Sequence, residues 1–375
     1  MSLAEDLASL PAAVRARLDA HRFDAARFLE LARRLGDAAQ MDNHVRGTLA
    51  APGPGDVESL PAAGTPESTK FREQGLELLR KEQCALVVLA GGMATRMGGV
   101  VKALEPALHG KTFLELRLAE QRSLEALAKT TVPLWLMTSS STDAKIRAAL
   151  GGAVDGKRIA TFPQRLSLRL TPEGAIFKDD QGEPSEHAPG HGDLPDALVD
   201  SGLLGTFIDG GGRYVMVANL DNLGATLDPA IVGYHVARGR PVTCEVVDKL
   251  ASDKGGIPVR HDGRTVVLEE FRIPPSFDPA QVRVFNTNTF HFDASALAAK
   301  DIKWTYFVVE KKVAGRPAIQ FERLINELTS YLDTTYLRVP RTGAESRFLP
   351  IKDREELARR QPEIEAVARS RGMIA

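Results

Sequence analysis

Residues 84–90 read CALVVLA and run directly into GGMATRMGGVVK at 91–102. An unbroken apolar run of this length marks a strand buried on both faces, and such strands belong to parallel sheets covered by helices. The texture downstream supports this reading. A helical TFLELRLAEQRSLEALAK (112–129) leads to a strand-like VPLWLMTS (132–139), then a helical STDAKIRAAL (141–150) and a strand-like RIATF (158–162). The alternation resumes with YVMVANL (214–220), PAIVGYHVARG (229–239) and RPVTCEVVD (240–248). Strands alternating with amphipathic helices predict an α/β fold with a mainly parallel sheet and helices on both faces. Ligands of such sheets sit at the carboxyl ends of the strands, and the glycine-rich stretch begins at one of those ends.

Outward from this core the pattern changes. Residues 1 to about 48 repeat apolar positions at helical spacing, which predicts two or three short helices. The Pro-, Gly- and Ala-rich stretch TLAAPGPGDVESLPAAGTPES (48–68) reads as an extended connector. Residues 1–68 are therefore expected to be an N-terminal helical appendage, 69–345 the main α/β domain, and 346–375 a small, partly helical C-terminal piece. Deleting residues 1–66 is expected to spare the core. Beyond about residue 256 come β-rich pieces, RTVVLEEFRI, VRVFNTNTFHF and IKWTYFVVEKKV; PAIQFERLINELTSYL (317–332) is expected to be a helix and the charged tail IKDREELARRQPEIEAVARSRG a surface helix.

Composition narrows the possibilities. With 48 Lys and Arg against 49 Asp and Glu, the 375-residue chain has a formal charge of −1. It offers no global field for nucleic acid or anionic membrane, so any affinity for phosphate must be local. Cys84 and Cys244 lie far apart in apolar contexts and read as reduced core thiols. No run approaches the ~20 apolar residues of a membrane span, and a cytoplasmic location is expected.

The glycine-rich stretch carries the first chemistry. Small residues after a buried strand let backbone N–H groups approach an anion, helped by the positive end of a following helix. Arg96 and Lys102 add mobile positive charge over the same place. The dinucleotide fingerprint G-x-G-x-x-G fails, because the glycines here are 91, 92, 98 and 99. The P-loop pattern fails too: Gly110, Lys111 and Thr112 are present, but Glu105 stands five positions before Gly110. His187 and His191 have the i, i+4 spacing of a helical metal pair, yet Pro189 and Gly190 between them favour a loop. YVMVANLDNLG is another strand ending in polar groups, and its Asp221 is suited to hold Mg²⁺, a hard ion that binds one or two carboxylates beside phosphate oxygens and water.

The loop resembles the signature of nucleotide-sugar pyrophosphorylases, L-x-G-G-x-G-T-R-x-G followed by Pro-Lys. FPQRLSLRL (162–170), HAPGHGDLPDAL (187–198), VANLDNLGATLD (217–228), CEVVDKLASDKGG (244–256), FNTNTFHF (285–292) and RFLPIKDREEL (347–357) follow in the order and spacing of UTP:glucose-1-phosphate uridylyltransferases. The resemblance covers about residues 80 to 358. It implies a Rossmann-like, mixed but mainly parallel sheet of the nucleotide-diphospho-sugar transferase type. It implies nucleotide contacts from Ala90, Gly91, Gly92, Thr95, Gln164, Gly190 and His191, with Gln164 reading the uracil edge. Asn222, Asn286 and Asn288 are expected around the sugar, Asp221 at the metal, and Arg96, Lys102, Lys249 and Lys352 as the catalytic cations. Ala94 and Val101 depart from the family's glycine and proline.

The implied reaction needs no protein nucleophile. A sugar-1-phosphate oxygen attacks the α-phosphorus of UTP in line, pyrophosphate leaves, and positioning with charge neutralisation by Mg²⁺ and cationic side chains does the catalysis. UTP and sugar-1-phosphate are the expected partners, with neither nucleic acid nor membrane. Alternatives are an N-acetylglucosamine or broader UDP-sugar pyrophosphorylase, a nucleotide-sugar-binding regulator without activity, or an interaction protein acting through its N-terminal helices.

Overall fold

A computed structural model describes residues 2–37, 41–94, 99–299 and 302–375. Among these residues eight strands form the central sheet. They are Val57–Ser59 (β1), Cys84–Leu89 (β2), Leu134–Thr138 (β3), Ile159–Pro163 (β4), Tyr214–Asn219 (β5), Val242–Asp248 (β6), Val284–Asp293 (β7) and Thr334–Arg338 (β8). Their order is β1-β8-β6-β7-β5-β2-β3-β4. β7 pairs antiparallel with both its neighbours, β5 and β6, and the remaining pairs are parallel. The mixed, mainly parallel sheet expected from the sequence is therefore present.

Among the described residues the helices are Leu3–Ala8 (α1), Ala12–Ala20 (α2), Ala25–Ala32 (α3), Pro66–Arg80 (α4), Phe113–Ala128 (α5), Asp143–Leu150 (α6), Leu194–Asp200 (α7), Pro229–Arg238 (α8), Arg354–Arg359 (α9) and Gln361–Ser370 (α10), with two further short ones at Leu203–Asp209 and Ala294–Leu297. The unbroken run of β2 is explained by cover on both sides. Ala85 and Val87 face a core shared with Phe71 of α4, Leu198 of α7 and Tyr234 of α8. Leu86 and Val88 face another, shared with Leu116 of α5, Ile146 of α6 and Val367 of α10. Sequence sets the start of α5: the Thr112 hydroxyl accepts from the Glu115 N–H at 3.1 Å and the Glu115 carboxylate accepts from the Thr112 N–H at 2.7 Å, a reciprocal cap.

Four expectations are corrected. The connector at 48–68 contains structure: Leu49–Ala50 pairs with Ile257–His261, and β1 is an edge strand of the central sheet, so deleting residues 1–66 would strip that edge. PAIQFERLINELTSYL is not a helix. Arg316–Glu322 pairs antiparallel with Phe307–Val313, and Ile325–Ser330 forms a short 3-10 turn. The reason is the two-residue turn Ala314-Gly315, with φ of +46° and +78°, which has the left-handed backbone of a tight hairpin and commits both flanks to strands. The glycine-rich loop does not feed a helix N-terminus: Met93–Ala94 folds back on Val100–Val101, and Lys102 opens a 3-10 turn to Leu104. The tail is no mere surface helix, since α10 buries Ile364, Val367 and Ala368 against the sheet's cover.

Candidate active site

Every parallel strand points its carboxyl end at the same edge of the sheet, and two cavities meet there. The smaller, about 330 Å³, is lined by Ala90, Gly91, Gly92, Lys102 and Gln164. It shares His191, Asn219 and Asp221 with a larger cavity of about 860 Å³. The larger one continues past Gly256, Glu269, Asn286 and Asn288 to a mouth walled by Lys254, Arg341, Lys352 and Arg359. Strand ends β2, β4 and β5 thus bring Ala90, Gln164 and Asp221 to one place although 131 residues separate the first from the last.

A buried arginine shapes the turn that carries Asp221. Arg117 of α5, fully buried, donates to the carbonyls of Asn219 (2.9 Å), Asn222 (2.6 Å) and Ala225 (2.8 Å), and Glu120 accepts its guanidinium at 2.7 Å and the Leu227 N–H at 3.2 Å. A guanidinium with several fixed donors can organise a turn in this way where an ammonium could not. The turn presents Asp221 to Lys102, whose Nζ lies 2.6 Å from Oδ2. Both side chains are about one-fifth exposed, at 18% and 19%, so the pair faces the cavity without being sealed from water.

The asparagines of FNTNTF are set by a bulge. β7 pairs Asn286 with Val246 but Thr289 with Glu245, so Thr287 and Asn288 are extra residues in the strand. Asn288 takes φ +56°, its N–H donates to Asn286 Oδ1 at 3.0 Å, and its Nδ2 donates to Asn219 Oδ1 at 3.0 Å. Bulges re-aim side chains beside functional sites, and here one turns Asn288 into the shared cleft.

Two titratable groups in the cleft are strongly shifted. Burial pushes His191 down to about 4, so its ring is neutral near pH 7. Its Nδ1 accepts from the Ile325 N–H at 3.1 Å, which puts the ring proton on Nε2 as a donor. Burial, reinforced by the charges of Glu327 and Glu270, pushes the Glu269 carboxyl up to about 7. The folded state therefore holds this proton more tightly than the unfolded chain does. The stability it contributes is complete below the ordinary carboxyl range and is lost as pH rises through about 7. Glu269→Gln should keep the Asn326 Nδ2 contact to the Oε1 position and flatten that part of the profile. Thermal or denaturant unfolding from acidic to mildly alkaline pH should show the two stability profiles diverging by a total on the order of 3 kcal/mol; parallel profiles for the two proteins would refute the assignment.

The structure brings together Ala90, Gly91, Gly92, Lys102, Gln164, His191, Asp221, Asn286, Asn288 and Lys352. It places three expected residues elsewhere. Asn222 is fully buried, its Nδ2 donating to Arg347 O at 3.1 Å and its Oδ1 accepting from Leu349 N at 2.7 Å, so it clamps the RFLPIK segment and lines neither cavity. Lys249 turns away and donates to Pro279 O at 2.7 Å; it lines neither cavity. Gly190 at φ +89° is required by packing, because a Cβ there would stand 2.5 Å from Arg323 O, and it too lines neither cavity. Thr95 and Arg96 lie outside the described residues. Sequence reading missed Glu269, although EE directly after an apolar strand was a visible cue, and it missed Arg117, which carries no local signal.

A Mg²⁺ site can be tested on the donor set. Among the described residues no cluster of three or more His, Cys, Asp or Glu could hold a metal ion. Asp221 alone offers a partly exposed carboxylate at a strand end in the smaller cavity. That set fits an ion that takes most of its ligands from phosphate and water, and does not fit one caged by protein.

The sequence model of the family described as UTP–glucose-1-phosphate uridylyltransferase matches residues 28–365. The UTP–glucose-1-phosphate uridylyltransferase of Encephalitozoon cuniculi is 31% identical over 306 residues, covering 78% of this chain and 60% of that protein. The chain spans about 60% of the length of such relatives. Among solved structures, the fold is similar to the uridine diphosphate N-acetylglucosamine pyrophosphorylase of Trypanosoma brucei, with TM-score 0.76, 18% identity, and coverage of 93% of this chain and 79% of that one. The UDP-glucose phosphorylase of the same organism superposes with TM-score 0.66 at 25% identity, covering 82% and 70%. The family-model match across nine-tenths of the sequence shows that this chain belongs to the UTP–glucose-1-phosphate uridylyltransferase family.

Proposed function

We propose that the chain transfers the uridylyl group of UTP to glucose-1-phosphate, forming UDP-glucose and pyrophosphate. The carrying observation is the joined pair of cavities: a small one floored by the glycine-rich turn and Gln164, opening at Asp221, Asn219 and His191 into a larger one lined by amides and a carboxyl group. In this reading the Gln164 amide pairs with the uracil edge, and the backbone at Gly91 and Gly92 lets the nucleotide approach. Lys102 neutralises the phosphates of UTP, and Lys352 holds the phosphate of the sugar. Asn286, Asn288 and Glu269 orient the sugar hydroxyls, and the neutral His191 offers its Nε2–H to an oxygen at the junction. A sugar-phosphate oxygen then forms its bond to the α-phosphorus as the bond to pyrophosphate breaks, with Arg96 also expected at the phosphates from the family motif. Mg²⁺ bound at Asp221 would neutralise phosphate charge.

Pyrophosphate release from UTP with Mg²⁺ tests this when glucose-1-phosphate, galactose-1-phosphate and N-acetylglucosamine-1-phosphate are compared at equal concentration. The expected order has glucose-1-phosphate fastest by a wide margin. Preference for the N-acetyl sugar would move the chain to the other branch of sugar specificity. Binding of UTP with no release for any sugar would instead make it a nucleotide-binding regulator.

A further inference from the structure

The N-terminal helices pack against the segment that carries Gln164. Leu166, Leu168 and Leu170 share a core with Val14 and Leu18 of α2 and Phe28 of α3. The backbone is tied as well: the Leu166 N–H donates to the carbonyl of His21, the residue that ends α2, at 3.1 Å.

Polar contacts then run from α2 to Gln164 in three steps. Arg22, in the left-handed region at φ +53°, follows the helix and turns its guanidinium to Asp200 at the end of α7. Nη1 lies 2.8 Å from Oδ1, and Nη2 donates to the Asp200 carbonyl at 2.7 Å. The other carboxylate oxygen of Asp200 accepts from Arg165 at 2.7 and 3.2 Å. Arg165 also donates its N–H to buried Asp193 at 2.7 Å, and Asp193 is in turn paired with Arg323. Gln164, the residue before Arg165, is held by its N–H to Thr138 O at 2.9 Å, while its side-chain amide faces the small cavity beside Gly91.

We propose that Arg22 is a positioning residue for the nucleotide subsite: through Asp200 and Arg165 it fixes the segment that presents Gln164, making the N-terminal helices part of nucleotide recognition. This rests on the reading of Gln164 as a base contact. Arg22 is half exposed and lines neither cavity of the cleft, and exposed ion pairs of this kind add little to global stability. Its loss should therefore be felt in ligand affinity more than in folding.

The test uses the full chain and three variants, with KM for UTP, KM for glucose-1-phosphate, kcat and the thermal midpoint measured for each, and UTP binding measured directly by calorimetry. Arg22→Ala should weaken UTP by about 3- to 30-fold in both KM and Kd, with KM for the sugar phosphate and the midpoint nearly unchanged. Arg22→Lys, which keeps one charged donor toward Asp200, should recover part of the loss. Gln164→Ala serves as the control on the underlying reading. If Gln164→Ala weakens UTP and Arg22→Ala does not, the positioning role is overturned while the base contact stands. If Gln164→Ala leaves UTP affinity intact, the base contact itself is overturned and the proposal with it. A lowered midpoint in Arg22→Ala with unchanged UTP affinity would mean a purely structural role and would likewise overturn the proposal.

Discussion

Lys102→Ala should lower kcat by roughly 100- to 1000-fold, the usual cost of removing a preorganised charge contact from a site where negative charge develops. The protein should remain folded. Lys102 forms its ion pair with Asp221 at the cavity wall, where both side chains keep about one-fifth of their surface in water, so the carboxylate left behind can be solvated. The circular dichroism spectrum and thermal midpoint of the variant should stay close to those of the parent. Asp221→Asn separates the two roles of the pair. If Asp221 holds Mg²⁺ beside the phosphates, its amide should raise the Mg²⁺ concentration needed for half-maximal rate. If it only restrains Lys102, the requirement should not move. Near-full turnover in Lys102→Ala would remove this lysine from the machinery, leaving Lys352 and Arg96 to neutralise the substrates.

How much of this was legible in the sequence depends on the range over which each signal acts. The buried run of β2 and the strand–helix alternation through β6 are local patterns, and the mainly parallel sheet they predict is the sheet observed. Residues 317–332 were misread because a hairpin turn two residues long, Ala314-Gly315, overrides an apolar spacing that suits a helix. β1 was missed because three residues in a Pro- and Gly-rich stretch carry almost no pattern; what makes them a strand is the free edge of β8. At the site, the glycine-rich turn and Asp221 were legible because topology sends the parallel strand ends to one edge, whereas Gln164, His191, Asn286, Asn288 and Lys352 were named only through the family resemblance. Asn222 and Lys249 lie on such ends too, and only the fold shows the first clamping the chain at 347–349 and the second turned to Pro279. The support beneath the site was invisible for the same reason, since Arg117 is separated by 102 residues from the first carbonyl it holds.

The same logic makes Arg347→Ala a strongly destabilising change. Arg347 is 1% exposed, and its guanidinium donates from Nε to Glu245 Oε2 at 2.9 Å and from Nη1 to Thr226 at 3.1 Å. Glu245, fully buried on β6, also accepts from His291 Nε2 at 2.8 Å. Burial alone would raise this carboxyl, but Arg347 and His291 outweigh it and hold it at about 2. Removing the arginine leaves a buried carboxylate with one partner, a loss of about 3–5 kcal/mol, and denaturant unfolding should report it as a lowered midpoint. The effect should be pH-dependent in a defined direction. In the parent, the stability from Glu245 is present above the ordinary carboxyl range and is lost as pH falls toward 2, whereas in the variant the carboxyl has lost its main cation and that acid-side slope should shrink. The variant should also raise KM for the sugar phosphate, because Arg347 begins the segment that Asn222 clamps and that ends in Lys352 at the cleft. A double change to apolar residues, Arg347→Met with Glu245→Leu, removes both charges and should recover much of the stability. Unchanged unfolding in Arg347→Ala would show that the buried pair is not what holds β6 to the 346–352 segment.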